Sequence, residues 1–257
     1  MESHAALECL KWQIELGATE AIGEAPVNRY ALPETAPKPK RAAPDHAAPQ
    51  AFTPAPATDP VADAEARAKG AASLEALAEV QSAYPHCELK RGARNFVFAD
   101  GHPGARVMVI GEAPGRDEDL QGLPFVGRAG QMLDAMFGAI GLARGIADPR
   151  TGLYITNVLP WRPPQNRDPK PEEIAMMLPF VQRHIELAKP EFLVLMGNHS
   201  CQALLGKRGI TRLRGTWTEA AGLPALPMFH PAYLLRNPSA KREAWADLLS
   251  VQARLRA

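Results

Sequence analysis

Apolar residues in this chain follow two rhythms. Short unbroken runs, Arg106-Val-Met-Val-Ile110, Gly152-Leu-Tyr-Ile-Thr156, Phe192-Leu-Val-Leu-Met196 and residues 225–229, have strand length and no polar alternation. Such runs mark strands buried on both faces of a parallel sheet. Residues 216–218 read as one further short strand. Between the runs, apolar positions recur every three or four residues, predicting helices over 63–83, 129–140, 172–188, 200–205 and 241–256. Leu74, Leu77 and Val80 share one face of the first, and Pro169 and Pro171 suit the entry to the third. Strands separated by helical crossovers predict an α/β fold: a three-layer α/β/α sandwich around a central, mostly parallel four-stranded sheet. Ligands of such sheets gather at the carboxyl ends of the strands. The loops after Ile110, Thr156, Met196 and Phe229 are therefore the places to look for chemistry.

Ahead of this body the pattern changes. Residues 4–16 read as a helix carrying Leu7, Leu10, Trp12, Ile14 and Leu16, with Gly17 as its stop. A helix this short is marginal alone, so residues 1–30 are expected to dock, either on the chain's own core or on a protein partner. Proline is abundant, 25 of 257 residues, about twice its usual share of roughly 5%. Nine prolines fall between Pro26 and Pro60, and residues 31–64 hold eight of them plus eleven alanines. With Phe52 the only aromatic there, this stretch cannot bury enough apolar surface to offset its ordering entropy. It reads as a disordered or extended linker over 31–64, followed by the chemistry-bearing domain over 65–257.

Lys plus Arg is 29 against 28 Asp plus Glu, a net charge of +1, which excludes a globally basic nucleic-acid coat but not a local patch. Residues 1–70 carry a net −3 and the remainder +4, the basic residues of the body gathering at Arg162, Arg167, Lys207-Arg208 and from Arg236 to Arg242. Cys9, Cys87 and Cys201 form no CxxC pair, and three thiolates cannot fill a four-cysteine site. No signal pattern opens the chain, and no apolar run approaches the ~18 residues of a membrane span. A reducing, cytoplasmic setting is expected.

The first loop, Gly111-Glu112-Ala113-Pro114-Gly115, brings backbone N–H groups close to a ligand or is a generic strand-to-helix turn. It continues into Gly122-Leu-Pro-Phe125-Val-Gly-Arg-Ala-Gly130, where a phenylalanine among glycines has little core to fill and suits stacking on a planar ligand. Asn157 ends the second strand; its carboxamide matches the imide edge of a pyrimidine such as uracil, and it equally suits a turn or cap. Arg162-Pro-Pro-Gln-Asn-Arg167 is a rigid basic stretch, either a phosphate loop or a surface turn. His230, fixed by Pro231, is a candidate electrophile or proton donor, or a structural histidine before a helix. Leu234 and Leu235 would wedge into a base stack or turn inward, beside phosphate-anchoring Arg236, Lys241 and Arg242.

Together and in this order these motifs resemble family 4 of the uracil-DNA glycosylase superfamily, over about residues 75–257. The resemblance implies a DNA repair enzyme that flips deoxyuridine from single- or double-stranded DNA, hydrolyses the N-glycosidic bond and leaves an abasic site. It assigns uracil binding to Phe125, Asn157, Gly111 and Ala113, and charge stabilisation on the leaving base to His230. Glu112 and Glu118 become the acidic candidates for catalysis. Ala113 stands where well-known superfamily members place a water-activating aspartate. DNA contacts fall to Asn166, Arg167, Leu234, Leu235 and Arg236. No metal or nucleotide cofactor is implied for the chemistry. A monomer acting on nucleoid DNA in the cytoplasm is expected.

The same resemblance implies a [4Fe–4S] cluster on four cysteines, and here the sequence departs from it. The positions fall at Tyr84, Cys87, Trp161 and Met176 or Met177, so one ligand of four remains. The expectation is a protein without the cluster, with these side chains forming a small hydrophobic core. The alternative to an enzyme is a non-catalytic protein on the same fold that binds uracil-containing or damaged DNA, or recruits others to it.

Overall fold

A computed structural model describes residues 2–17 and 59–256. The chain divides into two units at Pro54/Ala55. The first contributes helix α1 (Glu2–Glu15), close to the predicted 4–16. Most of the predicted linker lies outside the described residues. Its end does not: helix α2 runs Pro60–Gly70, with Asp59 capping it through Val61 N–H at 3.0 Å. Ala64 and Ala68 are buried, because small side chains let α2 lie close against a neighbouring helix. Alanine-rich composition hid an element that packs by closeness. The predicted helix over 63–83 is two helices, since Gly70 ends α2 and the Ser73 hydroxyl accepts from Ala76 N–H to start α3 (Leu74–Ser82).

After a single turn, α4 (Leu89–Gly92), the sheet begins. Its strands are β1 (Ala99–Gly101), β2 (Val107–Gly111), β3 (Tyr154–Asn157), β4 (Phe192–Met196), β5 (Thr218–Ala220) and β6 (Leu223–Met228), in spatial order β1-β3-β2-β4-β6-β5. The four central strands are parallel, in register Val109↔Ile155, Val109↔Val194 and Val194↔Leu226. They are the four predicted runs, and β2, β3 and β4 are buried throughout. The sheet has six strands rather than four because β1 and β5 add antiparallel edges. β1 reads Ala-Asp-Gly, with no apolar pattern to betray it; its pairing to β3 makes it a strand.

Helices α5 (Arg116–Gln121) and α6 (Arg128–Gly138) lie between β2 and β3, and α7 (Pro171–Ala188) between β3 and β4. α8 (Asn198–Leu205) and α9 (Ile210–Leu213) follow β4, while α10 (Pro231–Arg236) and α11 (Lys241–Arg256) close the chain. The crossover through α6 moves one way across the sheet and those through α7 and α8 move the other. Right-handed connections then put them on opposite faces. The packing agrees: α2 and α3 lie on α7, and α10 and α11 lie on α6. The sheet order reverses at β2, so a crevice opens beyond the carboxyl ends of β2, β3, β4 and β6.

Candidate active site

The crevice is a cleft of about 570 Å³ lined by residues from all four strand-end loops. β2 delivers Gly111 and β3 delivers Asn157 side by side. A Cβ on Gly111 would collide with the Asn157 Oδ1 and the Phe125 ring, so glycine is what allows ring and carboxamide to meet. Ala113 lies in the cleft wall beyond it.

Phe125 is buried and sits at φ 54°, a left-handed conformation that costs a non-glycine residue about 1–2 kcal/mol. Three features hold it there. Glu118 accepts from Gly115 N–H at 3.1 Å and, on its other oxygen, from Val126 and Gly127 N–H at 3.0 and 2.9 Å. Arg144 donates to the carbonyls of Pro124 and Phe125 at 2.8 and 2.9 Å, and pairs with Asp100 at 2.9 Å. Gly130 leaves room for the Phe125 carbonyl, which any Cβ there would strike. Arg144 belonged to no recognisable motif, and only the folded geometry shows its part. The Glu118 carboxylate, expected to be catalytic, is spent on three backbone amides and braces the loop.

His230 faces Phe125, ring centroids 5.4 Å apart and planes 29° from parallel. It caps α10, its Nδ1 accepting from Ala232 N–H at 3.2 Å, so the ring hydrogen is on Nε2. Burial, helped by Arg236 and His199, pushes its pKa down to about 4. The imidazole is therefore neutral at physiological pH and keeps one donor. Gly197, at φ 90°, passes so close that a Cβ would lie 3.2 Å from that of His230.

Among the described residues, the buried side-chain polar atoms without a hydrogen-bond partner are Asn157 Oδ1 and His199 Nδ1. Both residues line this cleft. A buried unsatisfied carbonyl costs about 1–3 kcal/mol, and such exceptions mark places where a ligand supplies the missing partner.

Across the cleft, Glu112 is half-buried, and burial, with the Asp168 carboxylate adding to it, raises its pKa to about 7. Its Oε2 lies 3.7 Å from His199 Nε2, which is 3.6 Å from Asp168 Oδ2. These three present ligand-type atoms within 4.8 Å of one another. Arg208 faces the same group and draws the Glu112 pKa the other way, and its positive charge makes this a poor seat for a cation.

Of the residues expected to touch DNA, Arg236 is exposed at the cleft mouth. Asn166 lines the cleft and accepts from Arg162 Nε at 2.7 Å. Arg167 also lines it, but its guanidinium is clasped by both Glu173 oxygens at 2.9 and 2.5 Å, so its charge is already paired. Leu234 is fully buried in α10, which packs on α6, and Leu235 is half-buried. Leu234 is thus no wedge: the segment read as a loop is a helix, and helical spacing turns this leucine into the core.

Tyr84, Cys87, Trp161 and Met177 are all buried, and Met176 is partly so. The Tyr84 hydroxyl donates to the Pro60 carbonyl at 2.5 Å and its ring meets Phe180 edge-on at 5.4 Å. Trp161 packs on Phe96 at 5.6 Å, and Gln81 Nε2 reaches Met177 Sδ at 3.8 Å. Burial raises the Cys87 thiol pKa. One neutral thiol among aromatic and thioether side chains does not fit a four-thiolate iron–sulfur cluster.

The family model for the uracil DNA glycosylase superfamily matches residues 98–249. With that match over more than half its length and this cleft at the strand ends, the chain belongs to the uracil DNA glycosylase superfamily. Its relatives are more particular. It is 36% identical to the type-4 uracil-DNA glycosylase of Sulfurisphaera tokodaii, over 70% of this chain and 84% of that protein. Against the type-4 enzymes of Archaeoglobus fulgidus and Thermotoga maritima the identities are 36% and 37%, over 64% and 65% of this chain and 84% and 85% of theirs. No helix among the described residues is long and apolar enough to cross a membrane.

Proposed function

We propose that this protein hydrolyses the N-glycosidic bond of deoxyuridine in DNA, releasing uracil and leaving an abasic site for base excision repair. The observation that carries the reading is the unpartnered Asn157 Oδ1, buried in the same cleft as Phe125 and a neutral His230. Uracil supplies what that atom lacks. Its N3–H donates to Oδ1, while its O4 accepts from the carboxamide nitrogen. Cytosine offers an unprotonated N3 and an amino group there, the reverse pattern, so both contacts would oppose.

The mechanism follows from the geometry. The nucleotide leaves the stack, at a cost of a few kcal/mol that is least for a mispaired or single-stranded base. Phe125 stacks on the extruded ring. As the C1′–N1 bond breaks, its electron pair departs with uracil, and the Nε2–H of His230 stabilises the growing negative charge on the base. A neutral donor fits that task, since it need not surrender its proton. Water adds to the cationic sugar, and Glu112, with a pKa near the working pH, accepts its proton. Arg236, Arg208 and the exposed Lys241 and Arg242 hold the phosphates. Glu118 and Arg167 support the site through the backbone and Glu173.

The cleft is complete within one chain, which supports a monomer, and the DNA substrate supports action at the nucleoid. A protein partner for residues 1–30 remains part of the reading. The residues around Tyr84 and Trp161 support an enzyme working without the iron–sulfur cluster. The test is incubation with single- and double-stranded oligonucleotides carrying one uracil, followed by alkali. Strand cleavage strongly slowed in His230→Ala and Asn157→Ala is expected; binding without cleavage by the unmodified protein would favour the recruitment protein instead.

A further inference from the structure

The turn from β4 into α8 carries no motif of the resemblance, yet the first turn of α8 delivers His199 to the catalytic cleft, nine-tenths buried. Of its two ring nitrogens, Nδ1 has no partner and Nε2 looks onto the carboxylates of Glu112 and Asp168 at 3.7 and 3.6 Å. Nothing receives a hydrogen at Nδ1, whereas at Nε2 two anionic acceptors face it, so the ring hydrogen belongs on Nε2. Both gaps are too long for direct hydrogen bonds, and both lie where catalytic contacts stand before substrate tightens them. Glu112 needs such help. Among the described residues no donor lies within hydrogen-bond distance of its carboxylate, and its neighbour Ala113 brings no second acid.

We propose that His199 is a positioning residue for hydrolysis: its Nε2–H orients the Glu112 carboxylate toward the water that attacks C1′, with Asp168 facing the same ring nitrogen and competing for that hydrogen. The inference rests on the deoxyuridine reading and deepens it. In the step concerned, the water oxygen bonds to C1′, one of its protons passes to Glu112, and the glycosidic electron pair leaves with uracil. The products are uracil and the abasic sugar. Besides Glu112, the charged and titratable groups facing His199 are Asp168, Arg208 and His230.

The sign of the pH effect separates this role from a structural one. A donor on Glu112 favours its charged, proton-accepting form, whereas the Asp168 charge disfavours it. Losing His199 therefore moves the acid limb of the rate profile to higher pH; losing the Asp168 charge moves it to lower pH. The experiment measures single-turnover uracil release against pH for the full chain and for His199→Ala, His199→Gln, Asp168→Asn and Glu112→Gln. Melting temperature and affinity for DNA carrying a non-hydrolysable deoxyuridine analogue accompany each variant. His199→Ala is expected to lose roughly 10- to 100-fold in rate, the scale of a mispositioned catalytic group, with analogue affinity unchanged. His199→Gln, which restores a donor, should recover part of it, and Glu112→Gln should abolish the limb. Asp168 is four-fifths exposed, so Asp168→Asn serves as the folded control for direct charge on Glu112, and His199→Gln carries the test where His199→Ala fails to fold. Wild-type rates in folded His199→Ala, an acid limb that does not move to higher pH in a folded His199 variant, or an intact limb in Glu112→Gln each overturn the inference while leaving the glycosylase reading standing. A wild-type protein that releases no uracil overturns the reading, and the inference with it.

Discussion

The uracil cleft and the core around Tyr84, Cys87 and Trp161 have fared differently under the same resemblance. In the cleft Glu112, Asn157 and His230 are all present, with the Asn157 oxygen left buried without a partner. In the core three of four expected thiolates are gone, and Tyr84, Trp161 and Met177 fill the space, each almost wholly buried. The difference follows from what each region must do. A cluster that only fastens loops together can be replaced by well-packed apolar side chains, because packing and metal ligation are alternative ways of holding a chain. A buried carbonyl waiting for an N–H has no apolar substitute; only the same pattern of donors and acceptors reads the same base.

The largest effect should come from breaking the packed core. Trp161→Ala is expected to cost about 3–5 kcal/mol of stability, seen as a lower denaturant midpoint, while uracil release per folded molecule stays within a few-fold. A collapse of activity in folded protein would mean the two regions are not separable. Next, His230→Ala should slow uracil release by about 10²–10³ while costing only about 0.5–2 kcal/mol of stability through the lost cap on α10, close to the reverse of the first result. Glu118→Gln tests the seam between structure and chemistry. It weakens three charge-assisted bonds to backbone amides, so stability should fall by roughly 1–3 kcal/mol and affinity for deoxyuridine DNA should drop with it. The smallest effect belongs to metal removal: prolonged chelation should leave activity and melting temperature unchanged, and iron per purified chain should be well below one. Four irons per chain would reverse the account of the Tyr84 region.

What could be read in advance divides along physical lines. The four parallel strands were visible because burial on both faces demands continuous apolar runs, and α11 falls on the predicted residues 241–256 because its periodicity is local. Phe125 reads as a residue type with little core to fill in its loop, whereas Asn157 and His230 gain their candidacy from the resemblance. The rest depends on partners far away in sequence. β1 is a strand only because Gly101, Asp100 and Ala99 find Tyr154, Ile155 and Thr156. Leu234 is buried because residues 231–236 coil into α10. Glu118 meets three backbone amides up to nine residues away, and His199 meets Glu112 and Asp168, 87 and 31 positions earlier in the chain.

Arg144 joins the backbone of Phe125 to Asp100 on the outermost strand. Phe125 and the sheet margin are thereby riveted together, and the contacts that hold the strained ring support all come from the protein itself. On the proposed reading, the extruded base enters a socket whose backbone is held by the protein's own hydrogen bonds. Its binding entropy is then spent on leaving the double helix and not on shaping its receptor, which suits an enzyme that must inspect very many ordinary bases for each uracil it finds.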